Sequence, residues 1–360
     1  MDWRPLGRLF MAQFLNAHYI TRTPAMPAER EGTMRAIVVT EPGGPEVLRI
    51  QELADPVANQ GDVLIRVKAF GLNHADTYMR SGVWPFGIPV LGIEAAGTVE
   101  EDPSGRLRRG TRVVAVVGGM ARTRNGSYAE LVTVPAANVT PIKTSLSWAE
   151  LAAIPEVYST AWTALHANLA LQRGQSVLIR GATSTVGQAA VNIARDLGAH
   201  VIATTRNPGR ERQLRDLGAD EVLIDDGELA GKVRATHRDG VDAVLDLVGN
   251  SVLRDSLKAV RPAGGVCLVG FLGGLEPIAD FDPLMDLPSG VRLTTFASAF
   301  VLGDEHFPMT DVPLQEIVDK ASRGAFQAKP ARVFRFDQIV DAHRLIEAGE
   351  ADGKLVVEIA

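Results

Sequence analysis

The sequence predicts an α/β protein in which a doubly wound parallel sheet is inserted between two stretches of a β-rich part. Between residues 176 and 297, six apolar runs rich in β-branched residues alternate with segments of helix length, a pattern typical of a parallel sheet covered on both faces. Residues 34–140 carry short β-forming runs separated by glycine and proline turns, which predicts antiparallel, barrel-like strands. The mixed pattern resumes near residue 331, so we expect the tail to return to the β-rich part.

Each predicted element follows from a local pattern of apolar, helix-forming and turn residues. In the β-rich part, the predicted strands are 35–39, 62–69, 97–100 and 112–117. The helices predicted before the parallel sheet are 148–153 and 161–171. The strands of that sheet are predicted at 176–180, 200–205, 221–224, 241–248, 265–270 and 292–297. The later elements are a helix at 314–322, a run at 331–336, an amphipathic segment at 337–348 and a run at 354–359.

Length, charge and cysteine content exclude several classes of protein. The 360 residues exceed the usual size of one domain, so two cores with a cleft between them are expected. The 37 Lys and Arg and 43 Asp and Glu give a net charge of −6 without long runs of one sign, which argues against nucleic-acid or membrane binding. No stretch has the roughly twenty apolar residues of a membrane span. Cys267 is the only cysteine, which excludes an internal disulfide and favours a reducing cytoplasm.

The first 33 residues differ in composition from the rest of the chain. They contain Pro5, Pro24 and Pro27, scattered arginines and only short apolar pieces. This composition predicts a flexible extension at residues 1–33, and it gives only weak support to a transit peptide. We expect the ordered part to begin at Met34, and whether Met34 is also the natural start stays open.

A turn of small residues between the first predicted strand of the parallel sheet and the following helix predicts a phosphate-binding site. There the free N–H groups and the dipole of a helix N-terminus attract an anion. The spacing is not a clean GxGxxG, because Ser184 stands where a central glycine would, so a purely structural turn is the alternative. Its place at the carboxyl end of the first of six strands favours pyrophosphate binding. The predicted contacts are Gly181, Ala182, Thr183, Ser184, Thr185, Val186 and Gly187.

The end of the second predicted strand favours NADPH over NADH. An acidic residue at this position would bind the ribose hydroxyls of NAD, and no carboxylate occurs here before Glu211. Thr205, Arg206 and Arg210 stand there instead, and both arginines lie near a helix start, where a cation needs a compensating anion. A ribose 2′-phosphate would supply that anion, and a guanidinium group suits its geometry. Two solvated surface arginines are the alternative.

Several motifs in a fixed order resemble one family over residues 34–360. They are GLNHADTYMRSG at 71–82, LGIEAAG at 91–97, GSYAE at 126–130, the small-residue turn at 181–187, DLVG at 246–249 and GKL at 353–355. Together they resemble the medium-chain dehydrogenase/reductase superfamily, and within it the zinc-independent quinone oxidoreductase branch that includes zeta-crystallin. The resemblance implies a GroES-like catalytic domain at 34–157 and 325–360, an inserted Rossmann NADP-binding domain at 158–324, and an active site between them.

The resemblance also implies hydride transfer without a catalytic metal. Zinc-dependent relatives carry a cysteine where Asn73 stands and a histidine where Ile93 stands, and neither residue here supplies a thiolate or an imidazole. Without a Lewis acid, the acceptor must already be electrophilic, which indicates quinones or α,β-unsaturated carbonyls. Two alternatives stay open: an enoyl reductase acting on acyl thioesters or enals, and a structural protein that binds NADPH without turnover.

The family pattern assigns catalytic roles to three residues of the β-rich part. Asn73 and Tyr78 would orient the acceptor, Tyr78 could also donate a proton, and Trp84 could stack on a flat substrate. An ordinary half-buried tyrosine and a loop-packing tryptophan are the alternatives. A homodimer is implied as well, since relatives often pair the edge strands of their Rossmann domains. The further coenzyme contacts that the resemblance implies are Val248, Gly249, Gly270, Phe271 and Lys354.

Overall fold

The computed structural model describes residues 32–84 and 88–360. The flexible extension predicted at residues 1–33 therefore lies outside the described residues, except for its last two positions. The first strand begins at Thr33, one residue before the predicted start of the ordered part. Among the helices of the described residues, none is both long enough and apolar enough to cross a bilayer.

The first half of the chain forms the β-rich part. Its strands are β1 (Thr33–Val39), β2 (Leu48–Ala54), β3 (Asp62–Gly71), β4 (Glu94–Glu101), β5 (Arg112–Val116), β6 (Leu131–Pro135) and β7 (Val139–Pro141). Its helices are α1 (His74–Ser81), α2 (Trp148–Ala152) and α3 (Pro155–Thr163). Strands β1 and β2 pair with each other, whereas β3 pairs antiparallel with both β4 and β6.

The second half forms a parallel sheet flanked by helices. Its strands are β8 (Ser176–Arg180), β9 (His200–Thr205), β10 (Glu221–Ile224), β11 (Val241–Asp246), β12 (Val260–Leu268) and β13 (Arg292–Thr295). Its helices are α4 (Thr185–Leu197), α5 (Glu211–Leu217), α6 (Leu229–Thr236), α7 (Leu253–Ala259), α8 (Pro283–Asp286) and α9 (Ser298–Val301). The spatial order is β10, β9, β8, β11, β12, β13. Successive strands are thus added on one side of β8 up to β10 and on its other side from β11, and such sheets bind ligands at the point between β8 and β11 where this order reverses.

The tail returns to the β-rich part, as the sequence predicts. It contains α10 (Leu314–Ser322), β14 (Arg332–Arg335), α11 (Ile339–Glu347) and β15 (Leu355–Glu358). Strand β15 pairs antiparallel with β3 and parallel with β14. In the described residues, the resulting sheet has the order β14, β15, β3, β4, β5, β7, with β6 on β3 as well. The tail therefore places residues near 354 beside the end of β3.

Local sequence explains most of these elements. The interior residues of β8 and β11 are almost all buried, which is why the two strands read as continuous apolar runs. Helix α4 ends at Gly198 and α5 ends at Gly218, and both glycines adopt the left-handed conformation that closes helices. These two glycines set where β9 and β10 can begin.

Some predicted elements differ from the structure. The helix predicted at 161–171 begins earlier, at Pro155, because proline suits the first turn of a helix; it ends at Thr163 and passes into a π-helical turn, Ala164–Asn168. The strand predicted at 265–270 begins at Val260. Strands β2, β6 and β7 were not predicted, since β2 is largely exposed and β7 has only three residues. The domain bounds at 157/158 and 324/325 stay a prediction.

Candidate active site

The predicted phosphate-binding turn joins β8 to α4. Gly181 has φ +82°, and Ser184 caps α4 by accepting a hydrogen bond from the N–H of Gly187 at 3.1 Å. A Cβ atom on Gly187 would lie 2.6 Å from the carbonyl oxygen of Gly181, so this position has room only for glycine. Thr204 ties the turn to β9, since its hydroxyl accepts the N–H of Gly181 at 3.1 Å. These contacts fix the shape of the turn, and its small residues give access to the first amides of α4.

The two predicted arginines follow β9 at the same edge of the sheet. Thr205 accepts the N–H of Asn207 at 3.1 Å through its hydroxyl, which shapes the turn between them. Arg206 is exposed, whereas Arg210 forms an ion pair with Asp352. Because Asp352 lies just before β15, this pair joins the parallel sheet to the β-rich part. The compensating anion that the sequence predicts near Arg210 is here a carboxylate of the chain itself.

The loops after β11 and β12 pack closely against each other. Asp246 is buried and accepts the N–H groups of Val248 and Gly249, each at 2.9 Å. Burial raises the pKa of Asp246, although hydrogen bonds from Ser256 and the backbone oppose this shift. A Cβ atom on Gly270 would lie 2.5 Å from the carbonyl oxygen of Leu247, so only glycine fits. The predicted contacts at these two loops therefore lie side by side, with Phe271 half-buried next to Gly270.

A buried cluster of Asn73, Glu94 and Lys354, called the lysine cluster below, lies where α1, β4 and β15 meet. The ammonium group of Lys354 donates to Oδ1 of Asn73 at 2.6 Å and lies 2.6 Å from Oε1 of Glu94. The amide of Asn73 also donates to Oε1 of Glu94 at 3.0 Å. Glu94 is fully buried and Lys354 is 5% exposed. Burial of two such charges requires that they pair with each other.

Neighbouring groups fix the geometry of the lysine cluster. The second carboxylate oxygen of Glu94 accepts the backbone N–H of Glu156 at 2.9 Å, at the start of α3. A Cβ atom on Gly71 would lie 2.4 Å from both Glu94 Oε1 and Lys354 Cε, so a glycine at the end of β3 permits this close approach. Asn73 caps α1 and is thereby held at the edge of the cluster.

Asp76 fixes the backbone of Asn73 by a hydrogen bond. Its carboxylate accepts the backbone N–H of Asn73 at 2.9 Å and that of Gly92 at 3.2 Å. Burial raises the pKa of Asp76 to about 7, although these hydrogen bonds and the charge of Lys354 lower it. Asp76, Glu94 and Glu156 were not predicted as site residues. The sequence carries a weak signal for Glu94 and Glu156, which are single carboxylates among apolar and small residues, and none for Asp76, which stands in a largely polar motif.

Tyr78 and Trp84 belong to a row of aromatic side chains that crosses between the two parts. Their ring centroids are 5.2 Å apart, and the centroid of Trp84 lies 5.1 Å from that of Phe300 in α9. The guanidinium group of Arg122 lies 4.7 Å from the centroid of Phe300. Burial raises the pKa of Tyr78, so its hydroxyl stays protonated at neutral pH. His74, at the start of α1, is exposed and stacks on Tyr78 at 6.3 Å.

The structure thus brings the predicted residues together in three groups. Asn73 and Lys354 share the lysine cluster, and Tyr78 and Trp84 share the aromatic row. The predicted coenzyme contacts at the turn, at Thr205 and at the loops after β11 and β12 occupy the carboxyl edge of the parallel sheet. The contact between Arg210 and Asp352 joins that edge to the chain segment of Lys354.

Comparisons with known proteins agree with this architecture. The family of the alcohol dehydrogenase GroES-like domain matches residues 59–144, and the zinc-binding dehydrogenase family matches residues 217–357. The quinone oxidoreductase of Lama guanicoe is 30% identical over 333 residues, which cover 90% of this chain and 97% of that protein. A mycobacterial protein solved in complex with NADPH has 31% identity and a TM-score of 0.79, and the match covers 90% of this chain and 99% of that one.

A polyketide synthase contains a similar segment. One phenolphthiocerol/phthiocerol polyketide synthase protein of Mycobacterium tuberculosis is 28% identical over 347 residues, which cover 92% of this chain and 15% of that protein. The fold and the site define an oxidoreductase that uses a nicotinamide cofactor and a small-molecule substrate. The chain belongs to the medium-chain dehydrogenase/reductase superfamily, in the branch that contains the quinone oxidoreductases.

Proposed function

We propose that this protein reduces quinones or α,β-unsaturated carbonyls with NADPH and without a catalytic metal. The observation that carries the proposal is the lysine cluster. In it, an amide oxygen and a carboxylate oxygen at the expected metal position already bind the ammonium group of Lys354. The ammonium group of Lys354 thus supplies a positive charge at the position where zinc-dependent relatives would hold the metal.

The donor set of the cluster does not suit zinc. Tetrahedral catalytic zinc is held by thiolate, imidazole and carboxylate ligands, whereas residue 73 is an asparagine and Ile93 is buried and apolar. The match to the zinc-binding dehydrogenase family covers residues 217–357, which include neither of these positions. An acceptor whose carbon is already electrophilic needs positioning more than Lewis-acid activation. Quinones and enones are acceptors of that kind.

The residues at the carboxyl edge of the sheet fit a phosphorylated nicotinamide coenzyme. When bound, NADPH supplies the hydride. The small-residue turn would hold the pyrophosphate, and the loops at Val248, Gly249, Gly270 and Phe271 would line the nicotinamide half. Arg206 is exposed near the start of α5, where it could pair with a ribose 2′-phosphate. Arg210 would join it by exchanging Asp352 for the phosphate.

The aromatic row fits a flat conjugated acceptor. Trp84, which is partly exposed between Tyr78 and Phe300, would stack on the acceptor, and the protonated hydroxyl of Tyr78 would donate a hydrogen bond to its carbonyl oxygen. The amide of Asn73, oriented by Glu94 and by Lys354, would hold the acceptor against the coenzyme. Protonation of the enolate after hydride transfer would then come from Tyr78.

We also propose that the protein is a homodimer and that its two domains have the predicted bounds. Strand β13 is an edge strand of the parallel sheet in the described residues, so its outer side could pair with the same strand of a second copy. The catalytic domain would comprise residues 34–157 and 325–360, and the coenzyme domain residues 158–324. Sedimentation of the purified chain would show twice the monomer mass if the homodimer forms.

The proposal is tested by NADPH oxidation with a panel of acceptors. Quinones and enones should be reduced, simple ketones should not, and dialysis against a zinc chelator should leave kcat unchanged. Loss of activity on chelation, with recovery on Zn²⁺ addition, would refute the metal-free mechanism. Quenching of NADPH fluorescence without oxidation by any acceptor would favour a binding protein instead.

A second candidate function is the reduction of enoyl thioesters. The similarity to a segment of a polyketide synthase favours it, and the β-carbon of an α,β-unsaturated thioester is electrophilic like that of an enone. A quinone reductase should ignore a crotonyl thioester that an enoyl reductase turns over. Comparison of kcat/KM for a quinone and for that thioester therefore separates the two functions.

A further inference from the structure

Two histidines and a glutamate meet at the amino-terminal edge of the parallel sheet. Oε1 of Glu221 lies 2.7 Å from Nε2 of His200 and 3.0 Å from Nε2 of His237. The three atoms all lie within 4.8 Å of one another. We call these residues the histidine–glutamate cluster. The hydride-transfer proposal makes no use of them.

Three chain segments supply the cluster. His200 is the first residue of β9, and Glu221 is the first residue of β10, so both stand at the same end of neighbouring parallel strands. His237 follows α6 directly, and its N–H donates to the carbonyl oxygen of Val233 in that helix at 2.8 Å. The predicted phosphate turn lies at the opposite, carboxyl edge of the sheet. The cluster is therefore separate from the candidate active site.

A further carboxylate faces the outer nitrogen of His200. Oδ2 of Asp220 lies 3.6 Å from Nδ1 of His200, and the backbone N–H of Val201 fixes that oxygen with a hydrogen bond of 2.7 Å. Metal-bound histidines commonly present their other ring nitrogen to such a carboxylate. At 3.6 Å this contact is longer than a hydrogen bond, but the negative charge of Asp220 would attract a proton on Nδ1 when a cation takes the lone pair of Nε2 in place of the present contact with Glu221.

The donor set suits one class of metal. Two imidazoles and one carboxylate are ligands of Zn²⁺ and related transition-metal ions, whereas Mg²⁺ and Ca²⁺ prefer oxygen ligands alone. Metal–ligand distances near 2.0–2.1 Å place tetrahedral ligand atoms about 3.3 Å apart. The observed separations of 2.7 and 3.0 Å are close to this value, so small side-chain rotations would admit the ion.

We propose that the histidine–glutamate cluster binds one divalent transition-metal ion of the zinc type. The ligands are Nε2 of His200, Nε2 of His237 and Oε1 of Glu221, and water completes the coordination because all three side chains are partly exposed. The carboxylates of Glu221 and Asp220 balance the charge of the cation. The ion ties β9, β10 and the end of α6 together, so its role is to stabilise the outer edge of the sheet.

A purely hydrogen-bonded cluster is the competing explanation. In that case both Nε2 atoms carry protons and donate them to Glu221, and a cation has no place between them. The two explanations predict opposite results in a Zn²⁺ titration of the full-length protein. They also differ in how the removal of one histidine changes that titration.

The experiment is a calorimetric titration of the chelator-treated protein with Zn²⁺, followed by thermal unfolding with and without the ion. One Zn²⁺ per chain should bind, and the unfolding midpoint should rise by at least about 2 °C. His237→Gln should abolish both effects. Asp220→Asn should weaken Zn²⁺ binding roughly tenfold or more, because it removes the charge behind His200. Mg²⁺ should have no effect.

His306→Gln is the matched control, since His306 is exposed, lies 3.6 Å from the carboxylate of Glu305, and belongs to no group of three metal-ligating side chains among residues 32–84 and 88–360. This variant should bind Zn²⁺ like the wild type. NADPH-dependent turnover should be equal with and without Zn²⁺, which separates this site from the hydride-transfer site. Absence of Zn²⁺ binding, or equal binding by His237→Gln and the wild type, would overturn the proposal.

Discussion

Two buried cations, Arg180 in the parallel sheet and Lys354 in the β-rich part, differ in how completely the chain satisfies them. The guanidinium group of Arg180 donates twice to Asp225, at 2.7 and 2.8 Å, and also to Asp255 at 2.8 Å. It further reaches Ser256 and two backbone carbonyl oxygens. The ammonium group of Lys354, in contrast, contacts two acceptors among residues 32–84 and 88–360, and it has three N–H groups.

The difference separates a structural cation from a functional one. Burial alone would raise the pKa of Asp225, but the hydrogen bonds and charge of Arg180 hold it below its ordinary value. Arg180 thus joins the ends of β8 and β10 to α7, and none of its donors is left for a ligand. Lys354 keeps a donor available beside Asn73, a predicted substrate contact. We therefore expect the two cations to be equally important for stability and unequally important for turnover.

The largest expected effect comes from removal of either charge. Lys354→Met leaves the buried carboxylate of Glu94 without its counterion, and Arg180→Met leaves the partly buried carboxylates of Asp225 and Asp255 without theirs. Each should lower the free energy of unfolding by about 3–5 kcal/mol. The kcat of the folded Lys354→Met protein should fall roughly 100-fold, whereas that of folded Arg180→Met should stay near the wild type. Urea unfolding and steady-state kinetics measure both quantities.

Charge-conserving variants serve as controls for this comparison. Lys354→Arg keeps the counterion of Glu94 and should recover most of the stability, but the larger group disturbs Asn73 and should not recover turnover. In the parallel sheet, Arg180→Lys keeps a positive charge and should lower the free energy of unfolding by less than Arg180→Met does. Equal kcat in Lys354→Met and the wild type would show that the donor of Lys354 has no part in the reaction.

A third cation extends the series. Arg206 has no hydrogen-bond or ion-pair partner within the described part of the chain, so its guanidinium group is fully available for a ligand. Arg206→Asp should lower the preference for NADPH over NADH roughly 10- to 100-fold, which corresponds to one or two charge-assisted hydrogen bonds. The ratio of kcat/KM for the two coenzymes measures it. Arg212→Asp, at the 93% exposed side chain of Arg212 in α5, is the control and should leave the ratio unchanged.

The pH dependence of the free energy of unfolding tests the pKa shifts of two buried residues, Asp76 beside the lysine cluster and His343. Burial raises the pKa of Asp76 from 3.8 to about 7, so the native state holds a proton that the unfolded chain has lost, and stability falls as the pH rises across this range. Burial, helped by the charge of Arg80 in α1, lowers the pKa of His343, a buried residue of α11, from 6.5 to about 3. That shift has the opposite effect, because the unfolded chain is the protonated one, and stability rises with pH between about 3 and 6.5.

Single variants separate the two opposing effects. In His343→Gln, the free energy of unfolding should fall relative to the wild type as the pH rises from 4 to 6.5, by up to about 1.4 kcal/mol per pH unit. In Asp76→Asn, the free energy of unfolding should rise relative to the wild type as the pH rises. Denaturant unfolding at several pH values gives both slopes. Parallel pH profiles in all three proteins would mean that neither group titrates in this range.

The parallel sheet could be predicted from sequence because its signals are local. Buried parallel strands read as apolar runs, and glycines such as Gly198 and Gly218 close the helices between them. Strand β2 escaped prediction because most of its residues are exposed and show no such run. The membership of the chain in its superfamily is confirmed by the comparisons, as is the resulting fold.

The ionic contacts of the site could not be predicted, since they join residues far apart in the chain. Sequence motifs indicated Asn73 and Lys354 separately, but nothing local shows that Lys354 neutralises Glu94. The partner of Arg210 was missed for the same reason: Asp352 comes close only because the tail pairs with β3. The assignment of Asn73, Tyr78 and Trp84 to catalysis stays a prediction.

The smallest expected effect concerns Asp352, two residues from Lys354. If its carboxylate competes with a 2′-phosphate for Arg210, Asp352→Asn should lower the KM for NADPH by up to about fivefold, since exposed ion pairs contribute at most about 1 kcal/mol. Asparagine suits this position, because Asp352 has φ +51° and asparagine tolerates the left-handed region, so the variant changes charge alone. The KM for NADH is the internal control and should stay constant. A higher KM for NADPH would mean that the ion pair helps to bind the coenzyme rather than competing with it.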